Sequence, residues 1–389
     1  MVKNVSKASI HWRELDILRG LAAILMIVNH AGYKILIPNL AEGGLSGTLI
    51  FIGSFAPVLF FFITGIGYGI QSNRRKKTGY WTLTLYKVVI LVLADQFFFW
   101  DEGRWLGLNF LGFIGFSTLV MAWLRSSRRP LFYAMAGFAA VSCLRYLIGP
   151  YLHSLGSDRG LLTWIIGTSG ISGISYPLAP WLAYPFVGYL IGVAAMHYRE
   201  FVESHRWEVI SGLLILACFP GVAGIMLSRS GASFHRWSTV GIGFYVISFT
   251  IIFLGLAWSL AFIGDSRLKI WQNTASLRGI SSLAVVPVHY YLIHLLTVLG
   301  IVGLGFFGYS VVTIGVLTAS FFLARSLEQL SKSICQIKNR KLIWLVLVTI
   351  LLLAASITLI YNKESAFLVM STRTLGQIIL CLLLVIRWE

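Results

Sequence analysis

Runs of about twenty apolar residues recur along the whole chain. They fall near 17–37, 48–71, 81–100, 105–124, 131–151, 176–196, 209–228, 240–263, 281–303, 307–324 and 342–361. A twelfth stretch, 366–386, is interrupted by Arg373. A helix needs about 20 such residues to cross a hydrocarbon core. Within that core every backbone N–H and C=O must find a partner, so only helices and closed barrels cross it. Period-2 alternation is absent, which argues against a barrel. The expected fold is an all-α polytopic membrane bundle of about eleven helices (ten to twelve). It forms one membrane-embedded domain over 1–389, with no separate soluble domain or clear internal repeat. Composition agrees: 57% of residues are hydrophobic and only 12% charged, against about 25% charged in soluble domains. A water-soluble enzyme, a disordered chain and a small disulfide scaffold are excluded.

The net charge of +17 then has to sit in short loops, and its pattern orients the chain. With the amino terminus cytoplasmic, inner segments hold twenty Lys and Arg, among them Arg13, Arg74, Arg75, Arg125, Arg278, Arg325 and Lys332. Outer segments hold five: Arg104, Arg159, Arg229, Arg236 and Lys363. This is a strong positive-inside bias, and it predicts a multi-pass protein of the plasma (bacterial inner) membrane. It is not a nucleic-acid signature. The first helix is too long and follows too charged a segment to be a cleavable signal peptide. The four cysteines are scattered without a CxxC, which suggests neither a metal site nor a disulfide framework. The Gly- and Ser-rich outer loop at 152–175 is expected to fold back over an outward-facing cavity. Tryptophans near the outer face, such as Trp164 and Trp181, read first as interfacial anchors.

The first helix carries the chemical signal. Residues 11–34 read HWRELDILRGLAAILMIVNHAGYK. Ionisable residues inside a membrane helix are expensive and mark functional sites by default. Arg19 and His30 are eleven residues apart, roughly 20° past three full turns and about 16 Å along the axis. They share one face. Asp16 precedes Arg19 by three residues and can pair with it. Asn29 adjoins His30 but points about 100° away. A purely interfacial Asp16–Arg19 pair, with the arginine snorkelling to the surface, accounts equally well for those two. It accounts less well for the deeper His30.

Leu15-Asp16-Ile-Leu-Arg19-Gly20-Leu-Ala-Ala, with a histidine eleven positions after the arginine, resembles the first helix of the acyltransferase-3 family. Glucan succinyltransferases share this spacing. The heparan-alpha-glucosaminide N-acetyltransferase family has a similar Asp-x-x-Arg-Gly opening followed by an asparagine, which Asn29 matches. Three further segments are similar to these families: Pro57–Gly65 (PVLFFFITG), Tyr176–Gly192 (YPLAPWLAYPFVGYLIG), and Tyr290–His294 (YYLIH). Together they cover about a sixth of the chain. The chain departs from the heparan branch in lacking a histidine between 31 and 152. It departs from acyltransferase-3 in lacking the Arg-x-x-Arg pair at the next cytoplasmic turn.

The resemblance implies a membrane-bound O- or N-acyltransferase. It would move an acyl group, acetyl by preference, from cytoplasmic acyl-CoA to a hydroxyl or amine of a carbohydrate or lipid-linked glycan. No metal is implied, membrane lipid is the surroundings, and homo-oligomerisation is left open. His30 takes the part of general base, for which an imidazole pKa of about 6.5 is suited. An acyl-histidine intermediate is the alternative. Asn29 or His294 orients the imidazole or stabilises the oxyanion. Of the two histidines in the ninth stretch, His289 and His294, about 140° apart, the resemblance favours His294. Acyl-CoA phosphates are expected at Arg19 with Asp16, Arg74, Arg75 and Lys87, although ordinary positive-inside charge explains any one surface cation as well. Asp95, Lys87 and Arg145 sit in or near the membrane with no partner evident in the sequence. His153 and Asp158 have the His-x4-Asp spacing of glycerolipid acyltransferases, most simply by coincidence. The rival class is a secondary transporter or flippase with Arg19, Lys87, Arg145 and the histidines along its pathway. No paired interrupted helices support that class.

Overall fold

A computed structural model describes residues 12–41, 43–72, 78–99, 108–154, 161–167, 174–231, 240–264, 266–337, 339–360 and 366–384. All twelve apolar stretches are helical over most of their described length. Nine helices among the described residues are long and apolar enough to cross a membrane. The helices used below are α1 (Arg13–Ile35), α2 (Gly44–Gly53), α3 (Ala56–Ile70), α4 (Tyr80–Phe99), α5 (Phe110–Ser126), α6 (Pro130–Cys143), α7 (Ala183–His197), α8 (Arg206–Arg229), α9 (Ile242–Gly264), α10 (Lys269–Ala275), α11 (Ile280–Val298), α12 (Phe306–Gln336), α13 (Arg340–Ile360) and α14 (Ala366–Leu383). The stretch containing Arg373 is therefore a helix, α14, and Arg373 is buried within it.

One expected span divides. The stretch 48–71 is broken at Ser54–Phe55 into α2 and α3. Pro57 sits in the first turn of α3 and has no N–H to bond the Gly53 carbonyl, so the helix cannot run through. Gly53 also lies hard against α1: a Cβ there would be 2.7 Å from the Leu25 carbonyl oxygen and 2.9 Å from Asn29 Cβ. The break lies beside Leu25 and Asn29 of α1.

The bundle has a buried centre and a lipid-facing rim. About two thirds of the apolar window of α1 is buried (67%), and 72% of the window spanning α2 and α3. The corresponding shares are 6% for 130–151, 17% for α8 and 11% for 341–358. Without water to drive association, membrane helices pack through small residues that let backbones approach. The seam between α3 and α7 is built this way. A Cβ on Gly65 would lie 2.0 Å from the Pro185 carbonyl oxygen, and one on Gly188 would lie 2.1 Å from that of Phe62. Gly69 and Gly192 repeat the arrangement one turn on, against Tyr189 and Ile66. The two Gly-x3-Gly sequences interlock as a reciprocal pair. Trp181, Tyr184 and Tyr189 are fully buried just before and along α7, so Trp181 belongs to the core and is not an interfacial anchor.

The seam tolerates no side chain. Gly188→Val should lower the thermal midpoint in detergent, at a cost of about 1–3 kcal/mol from overpacking. Gly67→Ala, where a Cβ meets nothing within 4 Å, should leave it unchanged.

Candidate functional site

Two cavities flank α1. The larger, about 450 Å³, is an open cleft at the end of the bundle where α1 begins. Arg13 and Asp16 reach it from α1, Arg278 and Ser281 from the start of α11, and Arg325, Glu328 and Lys332 from α12. Local bonds fix much of its wall. Arg13 donates to Asn273 Oδ1 at 2.7 Å. Arg325 Nη2 donates to the carbonyls of Asn273, Thr274 and Ser276 at the end of α10. Leu277 N–H donates to the Asp16 carbonyl at 2.9 Å and ties the loop to α1. Gly20 makes the close approach possible, since a Cβ there would overlap the Ala275 carbonyl oxygen. Lys332 and Arg278 share Glu328, at 3.1 and 3.6 Å, and both are about 60% exposed. Four cations against Asp16 and Glu328 make this an anion-attracting cleft, and two of those cations keep enough freedom to meet a ligand.

Asp16 and Arg19 pair as their spacing predicts, at 2.6 Å. Asp16 is nearly buried and Arg19 half-buried (5% and 26% of the side chain exposed). Asp16 lines the cleft and Arg19 does not.

The second cavity, about 40 Å³, lies further along α1 and is mostly enclosed. Its walls are Met26, Asn29 and His30 of α1, the break between α2 and α3, Asp95 of α4, the start of α5, Tyr176, and Val286 and Tyr290 of α11. His30 makes two hydrogen bonds across the helix interface. Its Nδ1 is 2.8 Å from His289 Nε2, and its Nε2 is 3.0 Å from the Tyr290 hydroxyl. The two imidazoles are nearly parallel, 9° apart. His289 is fully buried, and its Nδ1 is 2.8 Å from the Val285 carbonyl oxygen one turn back.

That last contact assigns every proton. A carbonyl oxygen only accepts, so His289 Nδ1 carries the hydrogen. In neutral His289 the Nε2 is then bare and accepts from His30 Nδ1–H. His30 Nε2 is bare in turn and accepts from the Tyr290 O–H. The tautomers follow from the bonding network. The chain has one direction, from the Tyr290 hydroxyl through His30 to His289 and the α11 backbone.

Asp95, which the sequence leaves without a partner, caps a neighbouring helix. It is 2% exposed. Its carboxyl oxygens accept from the backbone N–H groups of Asn109 (2.8 Å) and Leu111 (3.1 Å). These belong to the start of α5, where N–H groups have no intrahelical acceptor. Asn109 occupies the N-cap position, yet its own side chain makes no capping bond. Both Asn109 and Asp95 line the cavity. Gly112 allows this approach, because a Cβ there would lie 2.5 Å from Asp95 Oδ2.

The structure thus joins His30 to His289 and Tyr290, whereas the resemblance favoured His294. His294 lies five residues on from His289, lines neither cavity, and its Nε2 is buried without a hydrogen-bond partner among the described residues. Asn29 lines the His30 cavity, but its amide donates to the Ile50 carbonyl at 2.8 Å and fastens α1 to α2. Lys87 is exposed on α4 and lines neither cavity. Arg74 and Arg75 lie outside the described residues, as does Asp158. Arg145 donates to the carbonyls of Ile166 (2.8 Å) and Gly167 (3.4 Å) in the long loop. Among the described residues no group of three or more His, Cys, Asp or Glu is placed to hold a metal ion. The sequence reading had Arg13, Arg278, Arg325 and Lys332 only as general inner-loop charge. Nothing in their spacing announces one cleft drawn from three helices.

The family described as heparan-alpha-glucosaminide N-acetyltransferase, catalytic, matches residues 12–221, more than half of the chain. The acyltransferase-3 resemblance found no such support. No curated protein and no solved structure matches. The matched segment holds Asp16, Arg19, Asn29, His30 and Asp95. His289, Tyr290, Arg278, Arg325 and Lys332 lie beyond it.

Asp95→Ala should orphan buried N–H groups at the start of α5, at a cost of about 1–3 kcal/mol for each group left unsatisfied. Asp95→Asn keeps one carbonyl oxygen and should lose about half as much. Thermal unfolding in detergent reads both.

Proposed function

Because the chain belongs to the heparan-alpha-glucosaminide N-acetyltransferase catalytic family, and is therefore an acetyltransferase enzyme of the membrane, we propose that it carries acetyl from acetyl-CoA to the amine of a glycan across a lipid bilayer. The donor enters from the cytoplasm. Its phosphates meet the cleft between α1, α11 and α12, where Arg278 and Lys332 exchange Glu328 for the ligand. Arg13 and Arg325 hold the shape of that cleft. The pantetheine arm follows α1 inward. Fourteen residues separate Asp16 from His30, about 21 Å of helix, a distance on the scale of that arm when extended. The thioester then reaches the small cavity, and His30 takes the proton released as the acceptor attacks.

One observation carries this reading: a partly buried imidazole whose Nε2 is unprotonated and accepts from Tyr290, at the wall of a small cavity further along α1 from an anion-attracting cleft. A cavity of about 40 Å³ has room for roughly three water-sized probes. That fits a two-carbon acyl group and crowds a longer one. The cytoplasmic side of the cleft is supported by the positive-inside pattern, and the amine by the family. A hydroxyl acceptor is the competing outcome.

Purified protein given labelled acetyl-CoA and a glucosaminide should form an N-acetylated product. His30→Ala should lower kcat by about 10²–10⁴-fold, the usual worth of a general base. Full activity in that variant refutes the role of His30. Transport of the glycan without acetylation supports the transporter class instead. For the cleft, Arg278→Gln with Lys332→Gln should raise KM for acetyl-CoA by about tenfold or more, the worth of one charge-assisted bond, while kcat changes little. An unchanged KM places the phosphates elsewhere.

A further inference from the structure

We propose that Asp95 and Asn109 form the subsite that binds the acceptor's amino group, and that this subsite selects an amine over a hydroxyl. The inference rests on the reading of the chain as an acetyltransferase, and deepens it.

Among the described residues lining the small cavity, Asp95 is the one with a formal charge. It is 2% exposed. Buried charges are paired as a rule, because taking an ion out of water is costly. Among the described residues no lysine, arginine or histidine forms an ion pair with Asp95. Its partners are backbone N–H groups at the start of α5: Asn109 at 2.8 Å, Leu111 at 3.1 Å, and Gly112. A carboxylate has about four lone-pair sites, so three N–H groups leave one. What the fold does not supply is the counter-charge. An amine that arrives protonated brings that charge together with an N–H to donate. A hydroxyl brings a donor and no charge.

Capping alone does not call for a carboxylate at this point. Asparagine is as good as aspartate at an N-cap, and Asn109 already stands there without using its side chain. The backbone around that side chain is fixed. Asn109 N–H is held by Asp95, its carbonyl accepts from Phe113 N–H at 2.8 Å, and the Leu108 carbonyl accepts from Ser175 and Tyr176 at 2.9 and 3.2 Å. The cavity wall therefore presents an amide on rigid backbone next to the carboxylate, and a preorganised pair of this kind spends little ordering on binding. Other polar groups on the wall are engaged: the Asn29 amide donates to Ile50, and the Ser54 hydroxyl donates to Phe51. His30 lines the same cavity of about 40 Å³, so an amino group held at Asp95 shares one small space with the base.

The test is equilibrium binding in detergent, without acetyl-CoA, of a glucosaminide and of the matching glucoside, which has a hydroxyl in place of the amine. The wild type should bind the glucosaminide tighter by about tenfold or more, the worth of a charge-assisted bond. Asp95→Asn, which removes the charge and keeps a carbonyl oxygen, should bring the two affinities to within about threefold. Asn109→Ala should weaken glucosaminide binding by about three- to tenfold, the worth of a neutral hydrogen bond, and leave the thermal midpoint unchanged. A separate titration should find acetyl-CoA affinity within twofold of wild type in both variants, which reports an intact fold. Should Asp95→Asn fail that check, the wild-type preference and Asn109→Ala decide. Equal binding of the two sugars by the wild type overturns the proposal. An undiminished preference in a folded Asp95→Asn leaves Asp95 as a helix cap only, and an unchanged affinity in Asn109→Ala removes Asn109 from the subsite. Binding is read without turnover. A wild type that prefers the amine through Asp95 but transfers no acetyl group keeps this subsite and loses the acetyltransferase reading.

Discussion

The hydrogen bond between His30 and His289 is the contact on which the arrangement of the site depends. It crosses the interface of α1 and α11, two helices whose residues are 259 positions apart in sequence. In the apolar interior a polar group must find a partner or bear the cost of desolvation. The two imidazoles supply partners to each other, so each constrains the other. The register is held at the opposite end by Leu277 N–H on the Asp16 carbonyl. With both ends fixed, α1 and α11 run side by side from the basic cleft to the small cavity. The proposed donor path and the proposed base are built on the same pair of helices.

The cavity exists because the helices around it cannot close. Pro57 stops α2 from running into α3. Asp95 occupies the capping positions of α5, which spares the Asn109 side chain from that task. Each device satisfies or removes backbone N–H groups that would otherwise be orphaned in hydrocarbon. The glycine seam between α3 and α7 then holds α3 rigidly against the core. A space bounded by a proline break, a borrowed cap and His30 is narrow and carries polar groups on part of its wall. Such a space strengthens hydrogen bonds within it and limits what enters.

Much of this was legible in the sequence because the bilayer makes sequence speak plainly. Twenty apolar residues mean a helix, and Asp16, Arg19 and His30 declared themselves by their cost in lipid. The remainder was illegible for physical reasons. His289 and His294 sit on a helix that is apolar nearly all round, so no polar face shows which one turns inward. Only the packing against α1 decides. Asp95 pairs with backbone amides, and every residue carries an amide, so no partner residue marks the pairing. The cleft draws its cations from three helices in different parts of the chain, each indistinguishable alone from ordinary loop charge.

The family match ends at residue 221, yet half of the site lies beyond it. Asp16, Asn29, His30 and Asp95 fall within the match. The residues that fix the tautomer of His30, occupy its lone pair and line the far wall of the cleft come from α11 and α12. The matched half on its own would present an imidazole with no assigned proton and a cleft with one wall. The direction of the hydrogen-bond chain is therefore a property of the whole bundle. A change in α11 that rotates His289 by a fraction of a turn would reverse the tautomer of His30 or leave it unfixed. His30 would then lose its basic nitrogen toward the cavity without any residue of the matched segment having moved.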